Sequence, residues 1–146
     1  MMTHTIRLRS PWQLRELGRD GEAQSAGLRA DNRAAVPGDW EELLGRDYVG
    51  RAQYRRVFHR PGGLDDGESV VLVIEHVRPR GEVSLNGQLL GHVAASGEEF
   101  HITELLAEPN ELLIVIEHRG EEEATSDGLA AGGIPGDVRL EIRSLD

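Results

Sequence analysis

Glu82-Val83-Ser84-Leu85-Asn86-Gly87-Gln88-Leu89-Leu90-Gly91-His92-Val93 is the stretch that decides the fold. Val83 and Leu85 alternate with Glu82 and Ser84, which is the period of a strand with one buried face. Asn86-Gly87 follows, and both residue types tolerate the positive φ that a type I′ turn needs at its two central positions. Residues 88–93 then return as the second arm of a hairpin.

Working outward, the same grammar repeats. Residues 51–59 alternate, with Ala52, Tyr54 and Phe58 on one face. Residues 69–77 form a nearly continuous apolar run, the pattern of a strand covered on both sides or lying centrally. A similar run occupies 111–118, so Val70-Val71-Leu72-Val73-Ile74-Glu75-His76 echoes Leu112-Leu113-Ile114-Val115-Ile116-Glu117-His118. We read these as two similar central strands. Further strands are expected at 5–9, 12–17, around Phe100 and Ile102, and at 137–143. Pro61-Gly62-Gly63 and Asp65-Asp66-Gly67 break the chain between strands. Helical periodicity is nearly absent: a short helix is expected near 41–44, and Thr103 is placed to cap a single turn at 104–107. Eight or nine strands at roughly ten-residue spacing imply an all-β, two-sheet antiparallel sandwich in one domain.

Composition narrows the chemistry. The 146 residues carry 16 basic and 26 acidic side chains, a net charge of −10, and no cysteine. Disulfides, thiolate metal sites and a thiol nucleophile are excluded. Every cation is Arg, so a Schiff-base or general-base Lys is excluded too. A strongly acidic chain makes a poor nucleic-acid binder, because phosphate contact needs clustered cations. No run of about eighteen apolar residues is present, so no membrane-spanning helix is expected. Residues 1–10 lack the apolar core of a signal peptide, which makes a cytoplasmic product the expectation.

The order of signals resembles a known family. Val36-Pro37-Gly38-Asp39-Trp40 precedes Tyr48-Val49-Gly50-Arg51-Ala52-Gln53-Tyr54-Arg55-Arg56-Val57-Phe58. The apolar strand ending in His76-Val77, then Val83-Ser84-Leu85-Asn86-Gly87 and Leu90-Gly91-His92, come next. Phe100-His101-Ile102-Thr103, Asn110-Glu111-Leu112-Leu113-Ile114-Val115 and Gly133-Ile134-Pro135-Gly136-Asp137-Val138-Arg139-Leu140 complete the series. Together they are similar to the N-terminal sugar-binding domain of family 2 glycoside hydrolases, the β-galactosidase and β-glucuronidase group, over residues 36–142. The resemblance implies a galactose-binding-like jelly roll. It also implies no catalysis in this chain, since that family keeps its two catalytic glutamates on a (β/α)₈ barrel needing at least about 200 residues. The family's acidic contribution to its active site maps onto Asp127, six residues before Gly133. The chain departs from the pattern at Gly136, where a basic residue is usual, and at His101, where Asp is.

The chemistry-bearing residues support little else. Glycoside hydrolysis needs two carboxyl groups about 5–10 Å apart across one bond. Glu98-Glu99 and Asp65-Asp66 are sequence neighbours, so on a strand they face opposite ways and in a turn they are solvated. His59, His76, His92, His101 and His118 show no metal-ligand spacing, and no metal or other cofactor is expected. Arg51, Arg55, Arg56 and Arg60 suit either a carboxylated ligand or pairing with Glu75, Glu82 or Glu117 across strands, with Arg56 partly buried and paired.

Only six Trp, Tyr and Phe residues are present, a poor supply for stacking sugar rings. Trp12, Trp40, Tyr54, Phe58 and Phe100 are expected to pack, and Tyr48 to be the most exposed. Residues 119–136 form the longest segment without strand character, and any site is expected there, beside the turns at 36–40 and at Asn86. The expected ligand-binding set is Asp127, Trp40, Tyr48 and Asn86. Two functions follow: a non-catalytic carbohydrate-binding module, or a structural or protein-interaction domain without a sugar site. A saccharide, a protein partner or a homo-oligomer are the expected partners; nucleic acid and membrane are not.

Overall fold

The computed structural model describes residues 3–9, 12–18, 33–45, 48–120, 124–125, 128–129 and 131–144. Two antiparallel sheets face each other. The larger has six strands in the order β3-β2-β5-β10-β7-β8, where β2 is Trp12–Gly18, β3 Arg33–Ala34, β5 Gly50–Phe58, β7 Arg80–Leu85, β8 Gln88–Ala94 and β10 Asn110–His118. The smaller runs β1-β14-β6-β9, with β1 Thr3–Arg7, β6 Glu68–Ile74, β9 Glu98–His101 and β14 Val138–Ser144. Two short pairs complete it: β4 (Gly38–Asp39) with β13 (Gly133–Ile134), and β11 (Ala124–Thr125) with β12 (Gly128–Leu129). Among the described residues nine strands have four or more residues, the expected number. Among the described residues the single α-helix, α1, is the four-residue Glu41–Leu44.

Alternation builds the core. Ala52, Tyr54, Leu112, Ile114, Ile116 and Val83 project from the larger sheet onto Val70, Leu72, Ile74, Val138 and Leu140 of the smaller one, and all are buried. The register Tyr54↔Ile114↔Val83 places those three in one inward row. Asn86 takes φ +52° and Gly87 φ +82°, the left-handed pair that the hairpin signal requires. The two echoing runs do not pair: β6 is internal to the smaller sheet and β10 to the larger, so His76 and His118 belong to opposite layers.

Two local expectations are corrected. Thr103 caps nothing; Thr103–Leu105 is a 3₁₀ turn, and the Thr103 hydroxyl accepts from Val70 N–H at 2.8 Å, tying the turn to β6. Arg56 is partly buried as expected, but it donates to the backbone carbonyls of Arg9 and Val57 and not to a carboxylate. Arg55 does meet a carboxylate across the strands, at Glu111 (2.6 Å), which lies two residues from its direct partner Leu113 and so on the same face.

The continuous apolar run of β6 has a physical reason. Val71 and Val73 point away from the sandwich yet are buried, because ion pairs roof them. Arg139 contacts Glu75 at 2.6 Å and Glu141 at 2.8 Å, while Arg143 contacts Glu141 at 2.7 Å and Glu99 at 2.9 Å. The β6–β14 register sets Arg139 opposite Val73 and Glu141 opposite Val71, so this paired row runs alongside the valines. Hydrogen bonds from Arg143, then Arg139, hold the Glu141 carboxyl below its ordinary value of 4.5, and the bond from Arg139 does the same to Glu75. A carboxyl depressed in the folded state contributes stability above its unfolded pKa and loses it as the pH falls through the folded value. Tm is therefore expected to fall on acidification from about pH 5 to about pH 3, and Glu141→Gln to flatten part of that fall. Thermal melts of both proteins across this range check it; parallel slopes would show that the roof contributes nothing to acid sensitivity.

Candidate functional site

One end of the sandwich gathers the turns that carry polar side chains. It holds the 36–40 turn, the segment 75–80 between β6 and β7, residues 118–120 after β10, and 131–137 before β14. Backbone bonds knit these turns together. Trp40 N–H donates to Gly132 O at 2.9 Å, Arg78 and Gly133 exchange two bonds at 3.0 and 2.9 Å, and Gly136 N–H donates to His76 O. Small residues permit the approach. A Cβ on Gly132 would sit 2.5 Å from the Trp40 indole, and one on Gly136 would sit 2.6 Å from His76.

The rim of this edge is polar. Asp39 is exposed, and its Oδ1 accepts from Glu41 N–H at 3.0 Å, a local turn bond just ahead of α1. Glu75 and Asp137 line an open cleft of about 600 Å³ with Thr5, Arg7 and Arg139. Glu75 also borders a second cleft of about 650 Å³ with His76, Ser96, Glu98 and Glu99. Carboxylates and guanidinium groups of this kind can accept from and donate to ligand hydroxyls. Among the described residues no group of His, Asp and Glu forms a metal cluster.

Beneath the rim the edge is aromatic but closed. Trp40 is 0 % exposed; its ring stands edge-on to Tyr48 at 5.2 Å and tilts against His118 at 6.3 Å. Tyr48 is half-buried, donating to Arg51 O at 2.8 Å and accepting from Gly18 N–H at 3.1 Å. Buried His118 accepts from Gly120 N–H at Nδ1 (3.0 Å), which fixes the chain as it leaves β10.

The structure brings Trp40 and Tyr48 together and places Asn86 elsewhere. Asn86 lies beyond the far end of β7, six residues from Arg80, or about 20 Å at strand rise. Its amide is committed there: Oδ1 accepts from Glu111 N–H at 2.8 Å, and Nδ2 donates to Asn110 Oδ1 and Leu105 O. Asp127 lies outside the described residues, as do Glu121–Glu123 and residues 19–32. The sequence named Asp39 and Asp137 only inside the family motifs and Glu75 only as a partner for arginine, none of them as a ligand contact. Asp39 sits inside the quoted 36–40 motif, while Glu75 and Asp137 are joined only by the β6–β14 pairing. All six aromatic side chains are described, and none is exposed: Trp12, Trp40, Tyr54 and Phe58 are buried, Tyr48 and Phe100 partly so.

No family model and no curated protein sequence matches the chain. Solved structures do. A protein from Bacteroides fragilis described as a β-galactosidase superposes over 99% of this chain with TM-score 0.79 and 21% identity. The β-glucuronidase of Bifidobacterium dentium, crystallised with coumarin-3-O-glucuronide, superposes over 97% with TM-score 0.78 and 22% identity. A β-glucuronidase from glycoside hydrolase family 2 does so over 97% with TM-score 0.70 and 20% identity. The chain spans 24%, 30% and 18% of those proteins respectively. The fold is thus that of one part of these larger enzymes, as the sequence resemblance implied.

Proposed function

We propose that this sandwich is a non-catalytic carbohydrate-binding module that takes a saccharide at the edge formed by residues 36–40, 75–80 and 131–137. The observation that carries the reading is the superposition of nearly the whole chain on one part of β-glycosidases. The polar rim supports it, and so does the match of Asp127 to the family's acidic position. With no aromatic face exposed, recognition rests on hydrogen bonds from carboxylates and arginines to sugar hydroxyls, which implies weak affinity. Asp127→Ala is expected to weaken binding to a β-galactoside or β-glucuronide about tenfold, since a hydrogen bond to a charged group contributes roughly 1.5–3 kcal/mol. Calorimetric titration of both proteins checks this, after a glycan array has chosen the ligand. An array without signal at high protein concentration removes the proposal.

The enclosure of every aromatic side chain favours a second reading, a structural or protein-interaction domain that keeps the fold without a sugar site. Sharing a fold does not transmit an activity. An empty array together with concentration-dependent sedimentation would select this second reading in its self-association form.

A further inference from the structure

The chain has three asparagines, and only Asn86 precedes a glycine; Arg33 follows Asn32 and Glu111 follows Asn110. A glycine next in sequence has no side chain to shield its backbone nitrogen, so that nitrogen can approach the asparagine amide. Asn86 and Gly87 are both exposed, and a Cβ added at Gly87 would meet nothing within 4 Å among the described residues. Solvent therefore reaches the pair, yet the Asn86 amide is held. Asn86 N–H donates to Glu111 O at 2.9 Å while its Oδ1 accepts from Glu111 N–H at 2.8 Å. The side chain thus stands in for a backbone carbonyl and adds one rung to the β7–β10 ladder beyond Leu85↔Leu112. Nδ2 donates to Asn110 Oδ1 at 3.0 Å and to Leu105 O at 3.1 Å.

We propose that Asn86-Gly87 is a deamidation site, kept closed by the bonds of the Asn86 amide to Glu111, Asn110 and Leu105 and opened when this end of the hairpin frays. The Gly87 nitrogen attacks Asn86 Cγ. An N–Cγ bond forms, the Cγ–Nδ2 bond breaks, and Nδ2 leaves as ammonia with the proton given up by Gly87 N–H. Water then cleaves the cyclic imide, at Cγ to give aspartate or at the Asn86 backbone carbonyl carbon to give isoaspartate. Closing that ring turns the peptide between Asn86 and Gly87 and draws the amide off its partners, so the left-handed turn and the side-chain bonds must open first. Either product replaces the Nδ2 donor by a carboxylate, which only accepts. Facing Asn110 Oδ1 and Leu105 O, it cannot re-form the clasp, and the change is one-way. The site lies at the end of the sandwich away from the candidate edge, so it holds whatever that edge binds.

The test follows the full chain in mildly alkaline buffer by peptide mass spectrometry, reading amide-to-acid conversion assigned to residue 86 by fragmentation. Asn86 in the denatured chain is expected to convert, and Asn86 in the folded protein at least about tenfold more slowly. Asn110→Ala removes one acceptor of the clasp; where circular dichroism shows it folded, its rate at residue 86 is expected to exceed the parent's about threefold or more. Asn86→Asp carries the aspartate product and is expected to melt about 4 °C or more below the parent. Equal rates in the folded and denatured parent, or no conversion at residue 86 in either, overturn the proposal. So do a folded Asn110→Ala with the parent's rate and an Asn86→Asp protein with the parent's Tm. Should Asn110→Ala fail to fold, the folded and denatured parent decide the matter.

Discussion

Asn110→Ala is expected to lower the unfolding free energy by about 3 kcal/mol, with a fall in Tm of roughly 10 °C. Asn110 is fully buried, and its amide closes the end of the sandwich opposite the candidate edge. Oδ1 accepts from Ala107 N–H at 2.7 Å and from Asn86 Nδ2 at 3.0 Å; Nδ2 donates to Ala107 O at 2.9 Å and Phe58 O at 3.4 Å. An alanine removes all four bonds; the Phe58 carbonyl is buried and loses its partner outright, while solvent can reach the exposed Asn86 and Ala107, and each group left without a partner costs about 1–3 kcal/mol, offset by whatever water enters the new space. The clasp joins three segments: the end of β5, the loop before β10, and the Asn86 hairpin. Denaturant titration should show a lower midpoint at unchanged slope. A loss below about 1 kcal/mol would show that solvent replaces the clasp at little cost.

Trp40→Ala should cost about 3–5 kcal/mol, the usual range for emptying a large aromatic site in a core. The indole packs against Tyr48, His118 and the backbone at Gly132, joining the 36–40 turn to the 131–134 segment. Gly132→Ala attacks the same contact from the other side: its Cβ would come within 2.5–2.9 Å of three indole carbons, so the ring or the turn must move. Both losses are expected in the same thermal melt. A Trp40→Ala protein as stable as the parent would mean that the ring is not core, and would return it to the candidate ligand surface.

Much of the fold was legible because its determinants are local. The Asn86-Gly87 turn needs only its own two residues, and the inward faces of β5, β7 and β10 follow from alternation within each strand. The burial of Val71 and Val73 was legible only as an apolar run. The ion-paired row beside them, Arg139 and Glu141, lies about seventy residues away in sequence and reaches them through the β6–β14 register. Thr103 misled because a helix cap and a bond to a neighbouring strand use the same hydroxyl, and only the tertiary partner, Val70, decides.

The candidate site was less legible for the same reason. Trp40 and Tyr48 lie eight residues apart and do meet, whereas Asn86 carries an equally polar signal but faces the other end of the sandwich. Strand direction separates them, and a motif in one dimension has no direction. The rim carboxylates Glu75 and Asp137 come together because the chain leaves β6 where it enters β14; Glu75 N–H donates to Asp137 O at 3.0 Å. Asp137 stands inside the 133–140 motif, but nothing in that motif points to Glu75, sixty-two residues earlier.

The position of β14 has a consequence for biosynthesis. Residues 138–144 occupy the middle of the smaller sheet, with β1 on one flank and β6 on the other. A nascent chain therefore carries β1 without its ladder partner and β6 with one side bare until those residues emerge from the ribosome. Translation that halts before residue 138 leaves two strand edges open to other chains, and such edges template aggregation.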